Sequence, residues 1–234
     1  MEYIFELYFL LILIFIAYIS HYHVQSIDGS TQKLSTINQS MNKTIDLCCR
    51  WDQQISDGVL KYKLVNIQGE LKDLVREAFD SWNEQLVNLR LVEAHPSDQK
   101  TEIVITIGDI PNGDSNKLVK NAEAGLTAGQ SVNNINKEGL ITNATILLSD
   151  ELFSTGSDLK PISDVILHEI GHVLGLGHAN FNELMNPVVT GDMEGVSVCD
   201  VNGVLKTNEL SSEKGTLPLF QSNSDKESTI IDCQ

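Results

Sequence analysis

Residues 168–178 read HEIGHVLGLGH, and no other stretch of the 234-residue chain says as much about its fold. The stretch fits the pattern HExxHxxGxxH at all five specified positions. A chance match of this kind somewhere in such a chain has odds on the order of one in ten thousand. The stretch therefore predicts a helix and a turn that gather three histidines around one metal ion.

The spacing of the motif explains its chemistry. At about 100° per residue, His168 and His172 lie about 40° apart and one turn along a helix, so both imidazoles can reach one ion. Glu169 projects beside the ion, where a base for a metal-activated water is needed. Gly175 lets the chain leave the helix sharply and bring His178 back as a third ligand. Three protein ligands with one open position are typical of a catalytic Zn²⁺ site.

The alternative is a buried helix whose histidines are satisfied by hydrogen bonds in the core. The predicted helix, residues 163–176, argues against it, because its apolar side chains project away from His168 and His172. These are Ile166, Leu167, Ile170, Val173 and Leu174. One face therefore packs and the other presents histidines to a cleft.

Composition restricts the class of protein. Hydrophobic residues make up 41% of the chain and charged residues 21%, which is typical of a globular protein. The formal net charge of −16 repels phosphates, so nucleic acid is not an expected partner.

The N-terminus predicts export. Residues 7–19 read LYFLLILIFIAYI and have no polar face, so residues 1–25 are interpreted as a signal sequence or membrane anchor. Residues 26–47 are polar and read as a linker. We expect a catalytic domain outside the cell, either anchored to the membrane by the apolar segment or secreted.

Residues 48–210 are predicted to form the folded domain, and residues 211–234 a polar C-terminal tail. Apolar residues spaced by three and four predict a helix near 71–89, and a last helix is expected at 198–208. Residues 110–143 are rich in Gly and Asn and read as a long loop with one short strand. Strands are also predicted at 61–67, 89–94, 101–109 and 144–148.

Four cysteines are present, and an exported chain favours disulfides. A bond between the neighbours Cys48 and Cys49 is geometrically strained, which favours the two pairings that join this region to Cys199 and Cys233. A zinc cluster is the alternative, but no CxxC spacing supports it.

Further stretches resemble a known family. The turn 184–187 (LMNP), with Met185, resembles the Met-turn of the metzincins, which forms a hydrophobic floor under the metal. Over about residues 50–208 the chain resembles the catalytic domain of the matrixins, or matrix metalloproteases. The stretches that carry the resemblance beyond the motif are Arg50-Trp51, Ala78-Phe79-xx-Trp82, Thr101–Asp109, Ala124–Ala128 and Cys199–Val204.

The resemblance implies an α+β, zincin-like fold: a twisted mixed sheet of about five strands with three helices and the zinc on the second helix. It also implies a cleft along an edge strand that pairs with substrate. The substrate-binding residues it indicates are Gly125, Leu126, Thr127 and Ala128 on that strand, and Pro187, Val188 and Val189 in the loop that lines an apolar pocket.

The resemblance also bears on cysteines and metals. In the family the N-terminal segment docks against the start of the last helix, so a bridge from Cys48 or Cys49 to Cys199 is expected. A thiolate of Cys48 or Cys49 on the zinc is a weaker alternative. Structural Ca²⁺ is an open question, since Asp150 and Glu151 fit solvated surface charge better than a calcium site.

The predicted function is that of a monomeric zinc-dependent endopeptidase acting on extracellular proteins or peptides. Two alternatives remain open at this point. One is a catalytically silent binding or adhesion module, which would not need Glu169. The other is a zinc amidase acting on cell-envelope material.

Overall fold

The computed structural model describes residues 42–51, 53–110, 118–121, 126–150, 159–210 and 230–233, and in these ranges a mixed sheet of eight strands frames the fold. The strands are β2 Arg50–Trp51, β3 Val59–Val65, β4 Arg90–Glu93, β5 Ile103–Gly108, β6 Leu118–Asn121, β7 Leu126–Ile135, β8 Leu140–Ser149 and β10 Val188–Val189. Their order in the sheet is β10-β6-β7-β8-β5-β3-β4, with β2 beside β8. The five predicted strands are present as β3, β4, β5, β7 and β8, which confirms the α+β class.

Among the described residues, three α-helices accompany the sheet: α1 Glu70–Gln85, α2 Leu159–Val173 and α3 Val198–Thr207. The apolar stripe of α1 is buried, as its spacing predicts, and Trp82 is fully enclosed. The indole Nε1 of Trp82 donates a hydrogen bond to the carbonyl of Leu167 at 3.1 Å. This contact fixes α1 against α2, the second helix, on which the predicted metal motif lies.

The prediction of a long loop over residues 110–143 is wrong for its second half. Here β7 runs for ten residues and pairs antiparallel with β8, which begins at Leu140. Asn136 closes the turn between them, because its Oδ1 accepts from the backbone N–H groups of Glu138 and Leu140, at 2.9 Å each. Polar residues on the outer part of β7 hide the alternation of apolar residues by which a strand is usually identified.

A second, small sheet has the order β11-β1-β9, with antiparallel pairing on both sides of β1. Its strands are β1 Lys43–Leu47, β9 Leu176–Ala179 and β11 Ile230–Cys233. It packs on α3 at Gly203, where a Cβ would lie 2.6 Å from Leu176 and 3.3 Å from Ile231. The structure thus places strands inside the predicted linker and the predicted tail.

The disulfides differ from the expected bridge. Cys199 pairs with Cys233, and Cys48 pairs with Cys49. The reason lies in α3: Thr207, at its C-terminal end, donates its hydroxyl hydrogen to the carbonyl of Cys49 at 3.1 Å. Cys199 lies at the other end of α3, about 12 Å away along the helix axis at 1.5 Å per residue. Strand β11 instead brings Cys233 to Cys199, with 5.4 Å between their Cα atoms.

The predicted anchor or signal sequence, residues 1–25, lies outside the described residues. Within the part of the chain that the structure describes, no helix is long and apolar enough to cross a membrane.

Candidate metal centre

The end of α2 sets the geometry of the site. Gly175 has φ +100°, and a Cβ at this position would lie 2.2 Å from the carbonyl oxygen of Cys49. Only glycine combines this backbone conformation with so close an approach. The chain therefore turns directly from α2 into β9, which carries His178 back towards His168 and His172.

The three histidines converge as predicted. Their ligand nitrogens all lie within 4.8 Å of one another, and the Nε2 atoms of His168 and His172 are 3.0 Å apart. In the described ranges this is the one group of three or more His, Cys, Asp or Glu side chains that could hold a metal ion. The ring of His178 lies 4.9 Å from that of His172 and 5.6 Å from that of His168, measured between centroids.

Backbone carbonyls orient the first two rings. The Nδ1 of His168 lies 2.6 Å from the carbonyl oxygen of Leu184, and the Nδ1 of His172 lies 2.8 Å from that of Leu176. Because a carbonyl only accepts, each Nδ1 carries the proton and each Nε2 presents a lone pair. The Nε2 of His178 is buried and has no hydrogen-bond partner among the described residues. Three free imidazole nitrogens are the donor set that Zn²⁺ prefers.

The environment keeps these rings neutral. Burial lowers the pKa of His168 well below its usual 6.5, and the neighbouring imidazoles act in the same direction. Burial also lowers the pKa of His172, to about 4. The pKa of His178 is lowered by desolvation as well, although the nearby Asp46 carboxylate opposes the shift. Neutral imidazole is the form that binds a metal, so the site is ready for one at pH 7.

The side chain of Glu169 projects from α2 towards β7. Gly129 on β7 makes room for it, since a Cβ there would lie 2.9 Å from both Cγ and Oε1 of Glu169. Burial raises the pKa of Glu169 to about 8, and the Ser131 hydroxyl acts in the opposite direction. Ser131 lies outside hydrogen-bond geometry, so both carboxylate oxygens lack a partner in the described part of the chain. A buried carboxylate without a partner is costly and points to a role in the site.

The predicted Met-turn lies beneath α2. Met185 is fully buried, and a Cβ on Gly171 would come 2.4 Å from its Sδ. Gly171 therefore allows the sulfur to pack directly against the helix between the two ligands. The carbonyl of Met185 accepts from the N–H of Ala179 at 2.7 Å, which joins this turn to the strand that carries His178.

The predicted edge strand is not open where expected. Gly125 lies outside the described residues, while Leu126, Thr127 and Ala128 are in the first half of β7. That half pairs with β6, which in turn pairs with Val188 and Val189 of β10. This covering strand was not expected, because β6 lies in the stretch interpreted as loop. In the loop after the Met-turn, Pro187 and Val188 are exposed and Val189 is buried.

The second half of β7, Ser131–Ile135, has β8 on one side and no described strand on the other. A cavity of about 300 Å³ lies beside it and is also lined by His172 and His178. Asp46 and Asn133 line the same cavity. Neither residue was expected at the site, because Asp46 falls in the predicted linker and Asn133 in the predicted loop. No local pattern marks either residue.

The cysteines and the acidic pair complete the set of predicted residues. Cys48 lines this cavity, but its bond to Cys49 leaves neither sulfur as a thiolate for the metal. Asp150 is exposed at the end of β8, and Glu151 lies outside the described residues.

Comparisons with known proteins identify a family. A family model described as Matrixin matches residues 50–207. No curated protein sequence matches the chain. Among solved structures, one titled "Structure of myroilysin" is similar at 15% identity with a TM-score of 0.36. The match covers 58% of this chain and 54% of that one, so the chain spans about half the length of that structure.

Proposed function

Because the chain belongs to the matrixin family of zinc metalloendopeptidases, we propose that it hydrolyses peptide bonds of extracellular proteins at the site formed by α2 and β9. His168, His172 and His178 would hold the zinc, and Glu169 would act as general base. The observation that carries the proposal is the convergence of three imidazole nitrogens beside a buried, unpaired carboxylate.

The donor set fits the metal. When bound, Zn²⁺ supplies Lewis-acid chemistry that makes water more acidic and polarises a carbonyl group. The carbonyls of Leu184 and Leu176 hold the His168 and His172 rings in the tautomer needed for binding. Met185 fills the space under α2 and would keep the site dry and rigid from below.

Glu169 would move the proton. Its carboxylate takes the proton from the attacking water and passes it to the departing amine. The pKa of about 8 applies to the protein without a metal, and a neighbouring cation favours the charged carboxylate that a base requires. Gly129 allows β7 to lie close to Glu169, so the Glu169 side chain has little room to change its orientation.

Substrate and location follow from the same assignment. We propose an extended peptide substrate bound along β7, with an apolar contact near Val188. Disulfides fit an oxidising compartment, and matrixins are typically extracellular. Whether a membrane anchor or secretion places the site outside the cell depends on residues 1–25.

The test is Glu169→Gln in the full chain, compared with Glu84→Gln, an exposed glutamate on α1. Both variants should keep one zinc per chain. Loss of the base should lower kcat/KM on a quenched peptide library by about 10²- to 10⁴-fold, while Glu84→Gln stays within twofold.

Three other results would contradict the proposal. If Glu169→Gln hydrolysed peptides as fast as the unmodified chain, Glu169 would not be the general base. A zinc-loaded chain that cleaves no peptide would indicate a binding module. Cleavage of cell-envelope amides but not of peptides would indicate an amidase.

A further inference from the structure

The cavity at the open half of β7 is lined by the neutral imidazoles of His172 and His178 and by one charged group. Its lining includes Asp46, Ser131 and Asn133, and only Asp46 carries a formal charge. Asp46 lies on β1 between Ile45, which is buried in the core, and Leu47, which is partly buried against it. The pairing of β1 with β9 shifts register between Ile45 and Leu47, and at this irregularity Asp46 lines the cavity together with His178.

The fold makes room for this carboxylate. Opposite it on β9 lies Gly177, where a Cβ would come 2.7 Å from the Cβ of Asp46. Any larger residue beside His178 would push β1 away. Asp46 also acts on His178, because its negative charge raises the pKa of that imidazole. The carboxylate is exposed, and no Lys or Arg in the described ranges forms an ion pair with it.

Asn133 adds a second acceptor. Its Nδ2 donates to the carbonyl of His172 at 2.8 Å, which fixes the orientation of the amide. Its Oδ1 is buried and has no hydrogen-bond partner among the described residues. A buried unpaired acceptor lowers stability, and a ligand N–H bonded to it would remove that cost.

The backbone offers a way for a peptide to reach the cavity. Between Ser131 and Ile135, one edge of β7 has no described partner strand, so an extended peptide can add there by main-chain hydrogen bonds. One of its side chains would then enter the cavity. The cavity supplies a carboxylate and an amide oxygen, which are both acceptors, so the complementary side chain is a cationic donor.

Resting on the proposed peptidase function, we propose that this cavity is a substrate subsite for a basic side chain, arginine or lysine, with Asp46 as the specificity-determining residue. The charge of Asp46 attracts the cation, and Asn133 Oδ1 accepts one of its N–H groups. The preference comes from β1, which lies outside residues 50–207 matched by the family model.

The test uses quenched peptides that are identical except for arginine or its uncharged analogue citrulline, placed in turn at each position around the cut. In the unmodified full chain, one position should favour arginine by about fivefold in kcat/KM at low salt, mostly through KM. The preference should shrink at high salt, because the carboxylate is exposed. Asp46→Asn should reduce the ratio to about one.

The matched control is Asp232→Asn. Asp232 lies on β11 and is also exposed, but does not line the cavity, so its loss changes the net charge equally and should leave the ratio unchanged. No arginine preference at any position, or a preference that survives Asp46→Asn, would overturn the proposal. If both variants reduced the arginine preference equally, the preference would come from net charge and not from Asp46, and the proposal would be wrong.

A binding measurement separates this proposal from the peptidase function. Zinc-loaded Glu169→Gln should bind the arginine peptide several-fold more tightly than the citrulline peptide, and the difference should vanish in Glu169→Gln with Asp46→Asn. This result would support the subsite even if the unmodified chain cleaved nothing. Equal binding of the two peptides would refute the subsite even if the chain were an active peptidase.

Discussion

The two sides of the metal site are built in different ways. His168 and His172 come from one helix, four residues apart, and the helix packs against α1 and β7. His178 comes from β9, which is held by β1, and the hydrogen bond from Thr44 N–H to Asn180 Oδ1 at their junction joins residues 136 positions apart. The helix side is a product of local spacing, and the small-sheet side is a product of long-range pairing.

This difference separates the residues that the family model matches from the strands that lie outside the match. The helix side and His178 lie within the residues matched by the family model, whereas β1 and β11 lie outside them. The small sheet can therefore change the surroundings of the third ligand, including the charge beside it, without changing the ligands themselves.

The largest effect is expected at the junction of the two sides. Gly175→Ala places a Cβ at 2.2 Å from the carbonyl oxygen of Cys49 and strains a backbone with φ +100°. Strain and overpacking together should lower the free energy of unfolding by about 4 kcal/mol, measured by urea denaturation.

The control is Gly139→Ala, in the turn between β7 and β8. Gly139 has φ +82° but nothing within 4 Å of its Cβ position, so it should lose only about 1 kcal/mol from strain. Equal losses for the two variants would show that the close approach of the Cys49 carbonyl to Gly175 adds nothing to the backbone strain.

An intermediate effect is expected from the disulfide that closes the small sheet. Replacing Cys199 and Cys233 by serine opens a loop with a sequence separation of 34 and should cost about 3 kcal/mol. The loss should concentrate in the small sheet, where amide hydrogen exchange of β1 and β11 should speed up more than that of α2.

Serine at Cys48 and Cys49 is the matched control, because a bond between neighbours closes no loop in the unfolded chain. It should cost less than the pair at 199 and 233. If the amide hydrogens of β11 exchanged as slowly without the Cys199–Cys233 bond as with it, the stability of the small sheet would not depend on this disulfide.

The smallest effect is expected for the pH dependence of the free energy of unfolding of the metal-free protein. All three imidazoles have lowered pKa values when folded, so the unfolded chain takes up their protons first and stability falls as the pH drops below about 6.5. Glu169 acts oppositely, because its raised pKa gives stability that is complete below 4.5 and is lost as the pH rises through 8. The net loss should be about 1 to 2 kcal/mol between pH 6.5 and 5.5.

Imidazole NMR would resolve the two sides of the site in this titration. His178, half-buried and beside Asp46, should take up a proton at higher pH than His168, which is fully buried. If His168 took up a proton at a higher pH than His178, the contrast between a fully buried helix side and a half-buried sheet side next to a carboxylate would be wrong.

Much of this protein could be predicted without coordinates, and the particular successes share a cause. The stripe on α1, the alternation in β5 and the motif on α2 are periodic patterns within a single element. The misses were of another kind. Strand β7 carries polar residues along its outer half, and β6 shows no pattern at all. The position of Cys199 relative to Cys49 depended on which end of α3 the N-terminal segment reaches.

The sequence by itself determined the convergence of the three histidines, the place of Glu169 and the turn at Gly175, because a spacing of a few residues on a helix fixes where side chains project. Only the tertiary structure decided the surroundings of His178: β1 with Asp46, and the cavity beside the open half of β7. Strand β1 takes its place by pairing with β9 and β11, which lie more than a hundred residues further along the chain. Such pairing is selected by the packing of the whole core, so no local pattern in the chain encodes it.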